Sequence, residues 1–142
     1  MNQLGWLVGR RFHSLSRREY DWVAVFDHDA TIVIECLWRL VRYERIQVTS
    51  EDDGQQFGLP APLDAAAEVN ARIAEAVVEA VDVRQGLLDL TVHFSTGYSL
   101  QIVPNSSGYE AWNASNGNKQ FIAVGGGELA LIDDARPSLN DD

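Results

Sequence analysis

Three histidines and one cysteine are the side chains best suited to metal binding or catalysis in this chain: His13, His28, His93 and Cys36. A zinc site uses ligands at short paired spacings, such as H-E-x-x-H or C-x-x-C, and the sequence contains neither pattern. The histidines fall on separate predicted strands and a turn. We therefore predict no metal ligand, no catalytic residue, no enzyme activity and no bound cofactor.

Cys36 could act as a nucleophile if a histidine served as its base. It shares the even-numbered face of a predicted strand with Ile32 and Ile34, however, and free cysteine is among the most buried residue types. We interpret it as a core residue. Because it is the only cysteine, it cannot form an internal disulfide, which favours a reducing compartment.

Two loops contain residue types that also occur in ligand sites. The turn Asp27-His28-Asp29 offers two carboxylates and an imidazole, but acids at a tight turn commonly stabilise the turn itself. Gly125-Gly126-Gly127 lacks the G-x-x-x-x-G-K-[ST] pattern of a phosphate loop and leads into a strand instead of a helix. We predict that these glycines allow a bulge or a close crossing of two backbones.

Length and composition limit the class of protein. The chain has 142 residues, of which 46% are hydrophobic. A single domain of this size buries roughly 68–70% of the surface of its unfolded chain. No apolar run reaches the roughly eighteen residues of a membrane span, and no basic leader precedes an apolar segment. These features predict a cytoplasmic protein that does not bind membranes.

The net charge of −10 is concentrated in the second part of the chain. Residues 1–50 contain seven arginines and six acidic residues, whereas residues 51–142 contain four basic and fifteen acidic residues. Such a balance weighs against binding to nucleic acids or anionic membranes. It is compatible with a basic protein partner, and it also serves solubility.

An internal match at a spacing of 68 residues indicates the fold. Residues 21–36 align without a gap with residues 89–104, and apolar residues alternate on both sides of a short polar turn in each. The identical pairs are Asp21/Asp89, Phe26/Phe94 and Ile34/Ile102. This alternation is typical of a half-buried β-hairpin. The chain is therefore predicted to contain two similar β units, as an old duplication would produce.

The remaining elements follow from hydrophobic periodicity. We predict one amphipathic helix near 62–76, with Pro62 in its first turn. Residues 77–84 are compatible with helix or strand, and we expect a strand. Further strands are predicted at 6–15, 20–27, 31–38, 42–49, 87–95, 98–104, 109–114 and 120–132.

The predicted fold class is α+β, with a mostly antiparallel sheet in a single domain over residues 1–132. Two β units, 6–50 and 78–132, flank the helix. Residues 133–142 are expected to form a flexible acidic tail.

The two predicted hairpins differ on their odd-numbered faces. The first carries Val23, Val25 and Val33, and a strand that is apolar on both faces is usually covered on both. We expect either the helix, through Val69 and Ile73, or a second copy of the chain to cover these valines. The second hairpin carries polar residues there: Thr91, His93, Ser95, Ser99 and Gln101.

The segment 86–132 contains three motifs in order: a hairpin rich in Gly, Leu and Phe, then Y-E-A-W at 109–112, then G-G-E-L at 126–129. In this order they resemble the C-terminal part of a family of small uncharacterised bacterial proteins. Gly125 departs from that pattern, which has proline at this place. The resemblance implies a bacterial cytoplasmic setting and an arrangement similar to that of immunity proteins. It marks four residues as candidates for interaction: Tyr109, Glu110, Trp112 and Glu128.

The predicted function is therefore that of a non-catalytic binding module that engages a protein partner. In the sharper form, an immunity-like protein uses its acidic surface to cover a basic site, since complementary charge speeds association and fixes register. A homodimer is also compatible with the apolar first hairpin. The alternative is a small-ligand binder or an enzyme that uses a pocket between the sheets.

Overall fold

Two antiparallel sheets contain the eleven strands of residues 3–133, which is the part of the chain that the computed structural model describes. In chain order the strands are β1 Phe12–Arg17, β2 Trp22–Phe26, β3 Thr31–Ile34, β4 Leu37–Arg42, β5 Arg45–Thr49, β6 Val78–Val83, β7 Leu90–Phe94, β8 Tyr98–Val103, β9 Trp112–Ser115, β10 Lys119–Val124 and β11 Glu128–Asp133. The helix α1 is Ala65–Ile73, and short 3-10 turns lie at Gly5–Leu7 and Ser50–Asp52. The predicted α+β class is confirmed.

Strands from both halves of the chain contribute to each sheet. The six-stranded sheet has the order β1-β2-β3-β9-β10-β11, and the five-stranded sheet has the order β5-β4-β8-β7-β6. After β3 the chain crosses to the other sheet, where β4 pairs with β8. After β8 it crosses back, and β9 pairs with β3. We call the segments 35–36 and 104–111 the first and second crossover.

The hairpins β2–β3 and β7–β8 have the same register. Trp22 pairs with Ile34 in the first, and Leu90 pairs with Ile102 in the second. The strand before each hairpin carries an irregularity at the same place, between Phe12 and Ser14 in β1 and between Val78 and Ala80 in β6. Residues 68 positions apart in the aligned segments therefore occupy equivalent places.

The core lies between the two sheets and contains large aromatic contacts. The ring of Phe12 packs edge-on against Phe26 at 5.5 Å and against Phe94 at 5.8 Å between centroids. Trp22 and Trp38, which come from different sheets, pack edge-on at 5.0 Å. All five side chains are buried. Burial of an aromatic side chain of this kind contributes about 1.5–3 kcal/mol each, so these rings hold the two sheets together.

The helix α1 packs against β1 and β5, which are edge strands of the two sheets. Its N-cap is Asp64, whose Oδ1 accepts a hydrogen bond of 3.0 Å from the Ala67 amide. Val69 and Ile73 are buried there. Of the two covers that we expect for the valines of the first hairpin, the helix is therefore not the one, and a second copy of the chain is the alternative that stays a prediction. The apolar side of the helix seals the edge of the sandwich instead.

Five predicted strands differ from the structure, and two of them, 42–49 and 109–114, begin only at Arg45 and Trp112. Residues 6–15 begin with a 3-10 turn, and the strand starts only at Phe12 because Gly9 turns the chain at a φ of 90°. The predicted strand 31–38 ends at Ile34, where the first crossover begins. The predicted strand 120–132 is a hairpin of two strands that turns at the three glycines. The expected strand within residues 77–84 is β6, Val78–Val83. Of the predicted tail 133–142, Asp133 still belongs to β11, and residues 134–142 lie outside the described residues.

Candidate functional site

A surface groove forms where the two crossovers run side by side. The amide of Glu35 donates a hydrogen bond of 2.8 Å to the carbonyl of Ala111, which ties one crossover to the other. The groove has a volume of about 270 Å³. We call it the crossover groove, and it is lined by Tyr20, Glu35, Cys36, Asn105, Ser106, Tyr109, Glu110 and Ala111.

The second crossover is held in shape by local hydrogen bonds and by one close backbone contact. Ser106 Oγ accepts hydrogen bonds of 3.1 Å from the amides of Gly108 and Tyr109. A Cβ at Gly125 would lie 2.6 Å from the carbonyl carbon of Gly108, so only glycine fits there. The predicted close crossing of backbones at the glycine run is confirmed. It supports the loop that presents Tyr109 and Glu110.

Glu35 and Glu110 form a carboxyl pair in the groove, one from each crossover. Partial burial raises the pKa of Glu35, and a hydrogen bond with Glu110 and the charge of that carboxyl raise it further. Arg18, the basic residue that acts on Glu35, is bound to Asp21 by two hydrogen bonds of 2.6 and 2.8 Å. Within residues 3–133, neither glutamate of the pair has an ion pair with a basic side chain. The pair is therefore a place where a cation from outside would be favoured.

Two exposed tyrosines stand at the groove. Tyr20 is 84% exposed and Tyr109 is 81% exposed, although both side chains are large and aromatic. A second depression of about 270 Å³ shares Tyr20, Glu35, Cys36 and Asn105 with the groove and extends it towards β2 and the Ser50–Asp52 turn. Exposed aromatic residues are enriched at protein interfaces.

Cys36 lies at the base of this groove, partly buried against the core. Burial raises the pKa of its thiol to about 12, and the charges of Asp89 and Glu35 act in the same direction. The thiolate, which is the reactive form, is therefore nearly absent at neutral pH. The interpretation of Cys36 as a core residue on the strand of Ile32 and Ile34 is therefore wrong in part, because β3 ends at Ile34 and Cys36 is only partly buried against the core.

The structure separates the four residues that the sequence marks for interaction. Tyr109 and Glu110 lie in the crossover groove. Trp112 is fully buried, and its indole nitrogen donates a hydrogen bond of 2.8 Å to the Leu88 carbonyl, so it is a core residue that no partner can contact. Glu128 begins β11 and pairs with Val124 in the six-stranded sheet. Sequence reasoning missed Tyr20 and Glu35, which no local pattern distinguishes from solvated residues at strand ends.

The turn acid Asp27 stabilises the first hairpin, as the sequence indicates. Its Oδ2 accepts a hydrogen bond of 3.0 Å from the Arg11 amide, and its Oδ1 lies 2.7 Å from His13 Nε2. The backbone hydrogen bond from Arg11 lowers the pKa of Asp27, and His13 lowers it further. His28 and Asp29 adopt positive φ values of 59° and 64°, which the tight turn requires.

A hydrogen-bonded chain of Ser99, His93 and Asp82 lies on the outer face of the five-stranded sheet. His93 Nδ1 is 2.9 Å from Ser99 Oγ, and His93 Nε2 is 3.1 Å from Asp82 Oδ2. These residue types also form the catalytic triad of hydrolases. The side chain of Asp82 is 75% exposed, however. Asp82 lines one depression and Ser99 lines another, of about 500 Å³, so neither depression contains all three residues. The three residues thus form a relay on an open sheet surface.

Residues 3–133 were also compared with the requirements of a metal site and of a membrane-spanning helix. No group of three or more His, Cys, Asp and Glu side chains is arranged to hold a metal ion in this part of the chain. None of its helices has the length and apolar character needed to cross a membrane.

Comparison with known proteins gives a family and no assigned activity. No curated protein and no solved structure matches the chain. A family model does match it over residues 4–133, which includes both sheets, both crossovers and the helix. The chain therefore belongs to the family described as "Family of unknown function (DUF6188)".

Proposed function

We propose that the chain is a non-catalytic binding module whose crossover groove holds a basic side chain of a protein partner. The observation that carries this proposal is the carboxyl pair of Glu35 and Glu110 beside the exposed Tyr20 and Tyr109. In biological terms the proposal is an immunity-like role in the bacterial cytoplasm, in which an acidic protein covers a basic site.

The chemistry of the groove favours a cation. A Lys or Arg placed between two carboxylates relieves their repulsion and forms charge-assisted hydrogen bonds with both. Arginine fits especially well because its planar guanidinium can bond two carboxylate oxygens and stack on a tyrosine ring. The exposed Tyr20 and Tyr109 supply such rings at the groove.

The overall charge supports the same class of partner. The net charge of −10 attracts a basic protein over a long range and repels an acidic one. Most of the acidic excess lies in residues 51–142, the half that contributes Glu110. Long-range attraction sets the rate of encounter, and the groove then supplies the specific contact.

A titration with a short basic peptide tests the proposal. Binding of a blocked Arg-Gly-Arg peptide, followed by NMR, should shift the amide signals of Tyr109 and Glu110 first. The double variant Glu35→Gln/Glu110→Gln should weaken binding about tenfold or more, since a charged hydrogen bond is worth about 1.5–3 kcal/mol. The same peptide with citrulline in place of arginine should not bind.

The matched control for the single groove variant Glu110→Gln is Glu79→Gln, which removes one negative charge from an exposed position of β6 outside the groove. This variant should bind the peptide nearly as well as the unaltered protein. If Glu79→Gln weakens binding as much as the groove variant does, the attraction is a general effect of net charge, and the groove proposal is wrong.

A second candidate function, hydrolysis, is favoured by the relay of Ser99, His93 and Asp82. In a hydrolase the imidazole would remove the proton of Ser99 while the carboxylate orients the ring. A fluorophosphonate probe should then label Ser99, and Ser99→Ala should abolish the label. Absence of labelling in the folded protein would eliminate this candidate. It would leave the binding proposal untouched, because the groove shares no residue with the relay.

A further inference from the structure

The outer face of the six-stranded sheet has no charged residue in its two central rows. Cross-strand pairing places six side chains in each row. The first row is Ser16, Val23, Val33, Asn113, Ile122 and Ala130, and the second is Ser14, Val25, Thr31, Ser115, Gln120 and Ile132. Glu128 stands only at one corner, opposite Val124. We call these two rows the uncharged face.

The fold itself does not require such a face. In the five-stranded sheet, Thr91 takes the place of Val23 and Gln101 takes the place of Val33, in the same register. That sheet also carries Asp82 in the row of Thr91. The outer face of the five-stranded sheet therefore carries polar residues at the positions that correspond to these valines, and a charged residue in the same row. Folding alone does not require valine there, so the valines of the six-stranded sheet indicate another role.

No helix of the described residues 3–133 covers the uncharged face. The helix α1 packs on β1 and β5, and the five-stranded sheet packs on the opposite side of the sandwich. Val23, Val25 and Val33 are half-buried by their neighbours in the sheet, and Ile132 is 46% exposed. An exposed apolar surface that spans several strands commonly marks an interface.

We infer that this uncharged face is the interface of a homodimer, in which two copies pack face to face. Each copy carries a net charge of −10, so self-association requires a surface from which charge is excluded. The two rows meet this requirement, and a two-fold axis places the same uncharged patch on both sides. A basic partner, by contrast, would find no complementary charge here.

The size of the face corresponds to a weak dimer. The two rows span about four residues of each strand, so six strands spaced by about 4.8 Å with a rise of about 3.3 Å per residue give a face of about 380 Å². Two such faces bury about 760 Å² in total, which is below the range of stable interfaces and corresponds to a weak, transient one. We therefore expect a dimer that dissociates on dilution.

The segment after Asp133 is less suited to cover the uncharged face than a second copy of the chain is. Its sequence, DARPSLNDD, has three acidic residues and one large apolar residue, Leu139. Such a segment has too few apolar side chains to cover two rows of a sheet. A second copy of the uncharged face supplies a matching set of valines and isoleucines.

Sedimentation velocity over a dilution series tests the inference. The unaltered protein should pass from dimer to monomer as the concentration falls. The variant Val23→Thr/Val33→Gln, which gives the first hairpin the side chains of the second, should raise the dissociation constant about tenfold or more. Ile122→Glu, which puts a charge on the face, should abolish the dimer. Circular dichroism checks that both variants fold, and Ile122→Thr replaces any variant that does not.

The control is Thr91→Glu, which introduces the same charge at the position equivalent to Val23 on the other sheet. It should leave the dimer unchanged. The inference is wrong if the protein is monomeric at every concentration, or if the dimer persists in both face variants. It is also wrong if the full chain is a monomer and truncation after Asp133 makes it a dimer. The removed segment would then be what covers the uncharged face in the full chain.

Discussion

The hairpins β2–β3 and β7–β8 can be compared residue by residue, because their cross-strand pairs are the same at a spacing of 68. Their inner faces agree: Phe26 and Phe94 are both 2% exposed and both contact Phe12. Their outer faces do not agree, since Val23 stands where the second hairpin has Thr91. The inner faces are thus set by the need to fill one core, and the outer faces are free to differ. A difference at such free positions is where function should be sought.

The largest effect is expected where the two hairpins are alike. Phe26→Ala and Phe94→Ala should each lower the free energy of unfolding by about 3–5 kcal/mol, because each leaves a cavity in the same core. Denaturant melts measure this directly. Phe57→Ala is the control, since Phe57 is 66% exposed and its loss should change little. A cost below about 1 kcal/mol at either core position would show that the inner faces are not equivalent.

The hairpins were also the part of the fold that the sequence predicted best. Alternation of apolar residues is local, so it located β2, β7 and β8 and also the centre of α1. The choice of sheet is not local. Nothing in the run from Ile32 to Trp38 shows that the chain leaves one sheet at Glu35, because pairing with β8 or β9 depends on residues far away in sequence.

The candidate site was harder to predict for the same reason. It is built from two crossovers, and the sequence showed only one of them as the Y-E-A-W motif. The resemblance marks Trp112 as a candidate for interaction because it belongs to the Y-E-A-W motif. Its hydrogen bond to the Leu88 carbonyl, which lets the indole be buried, joins segments that only the fold brings together.

The crossovers supply the next prediction, because they differ in length and support. Gly125→Ala should lower the free energy of unfolding by about 1–3 kcal/mol, since the added methyl would collide with the Gly108 backbone. Gly5→Ala is the control, because it has open space around it and no positive φ. Thermal melts compare the two variants. Equal stability would mean that the second crossover can move away from Gly125, and that the groove is less rigid than its contacts indicate.

A smaller effect should appear in the dependence of stability on pH. The pKa of Glu35 is raised in the folded protein, so the folded state binds this proton more tightly than the unfolded state does. Between its ordinary pKa of 4.5 and the raised value, the free energy of unfolding should therefore increase as the pH falls. Glu35→Gln should remove this contribution. Urea melts over a pH series provide the measurement.

The contribution of Asp27 to the free energy of unfolding depends on pH in the opposite way. Its pKa is lowered from 3.8, chiefly by the Arg11 amide, so its contribution is present above that value and is lost as the pH falls below it. Asp27→Asn should therefore flatten the acid limb of the curve and leave the contribution of Glu35 in place. Glu35→Gln and Asp27→Asn should thus change the pH dependence of the free energy of unfolding in opposite directions. A change in the same direction would mean that the interaction with Glu110 does not raise the pKa of Glu35.

The smallest effect is expected where the hairpins differ. Val23→Thr and Thr91→Val exchange the side chains of equivalent outer positions, and neither position belongs to the buried core. At a concentration low enough to keep the chain monomeric, each should change the free energy of unfolding by no more than about 0.5 kcal/mol. Denaturant melts at that dilution decide the matter. A loss above about 1 kcal/mol for Val23→Thr alone would mean that the uncharged face stabilises the monomer. Its valines would then be explained by folding, and the contrast between the two outer faces would no longer point to a partner.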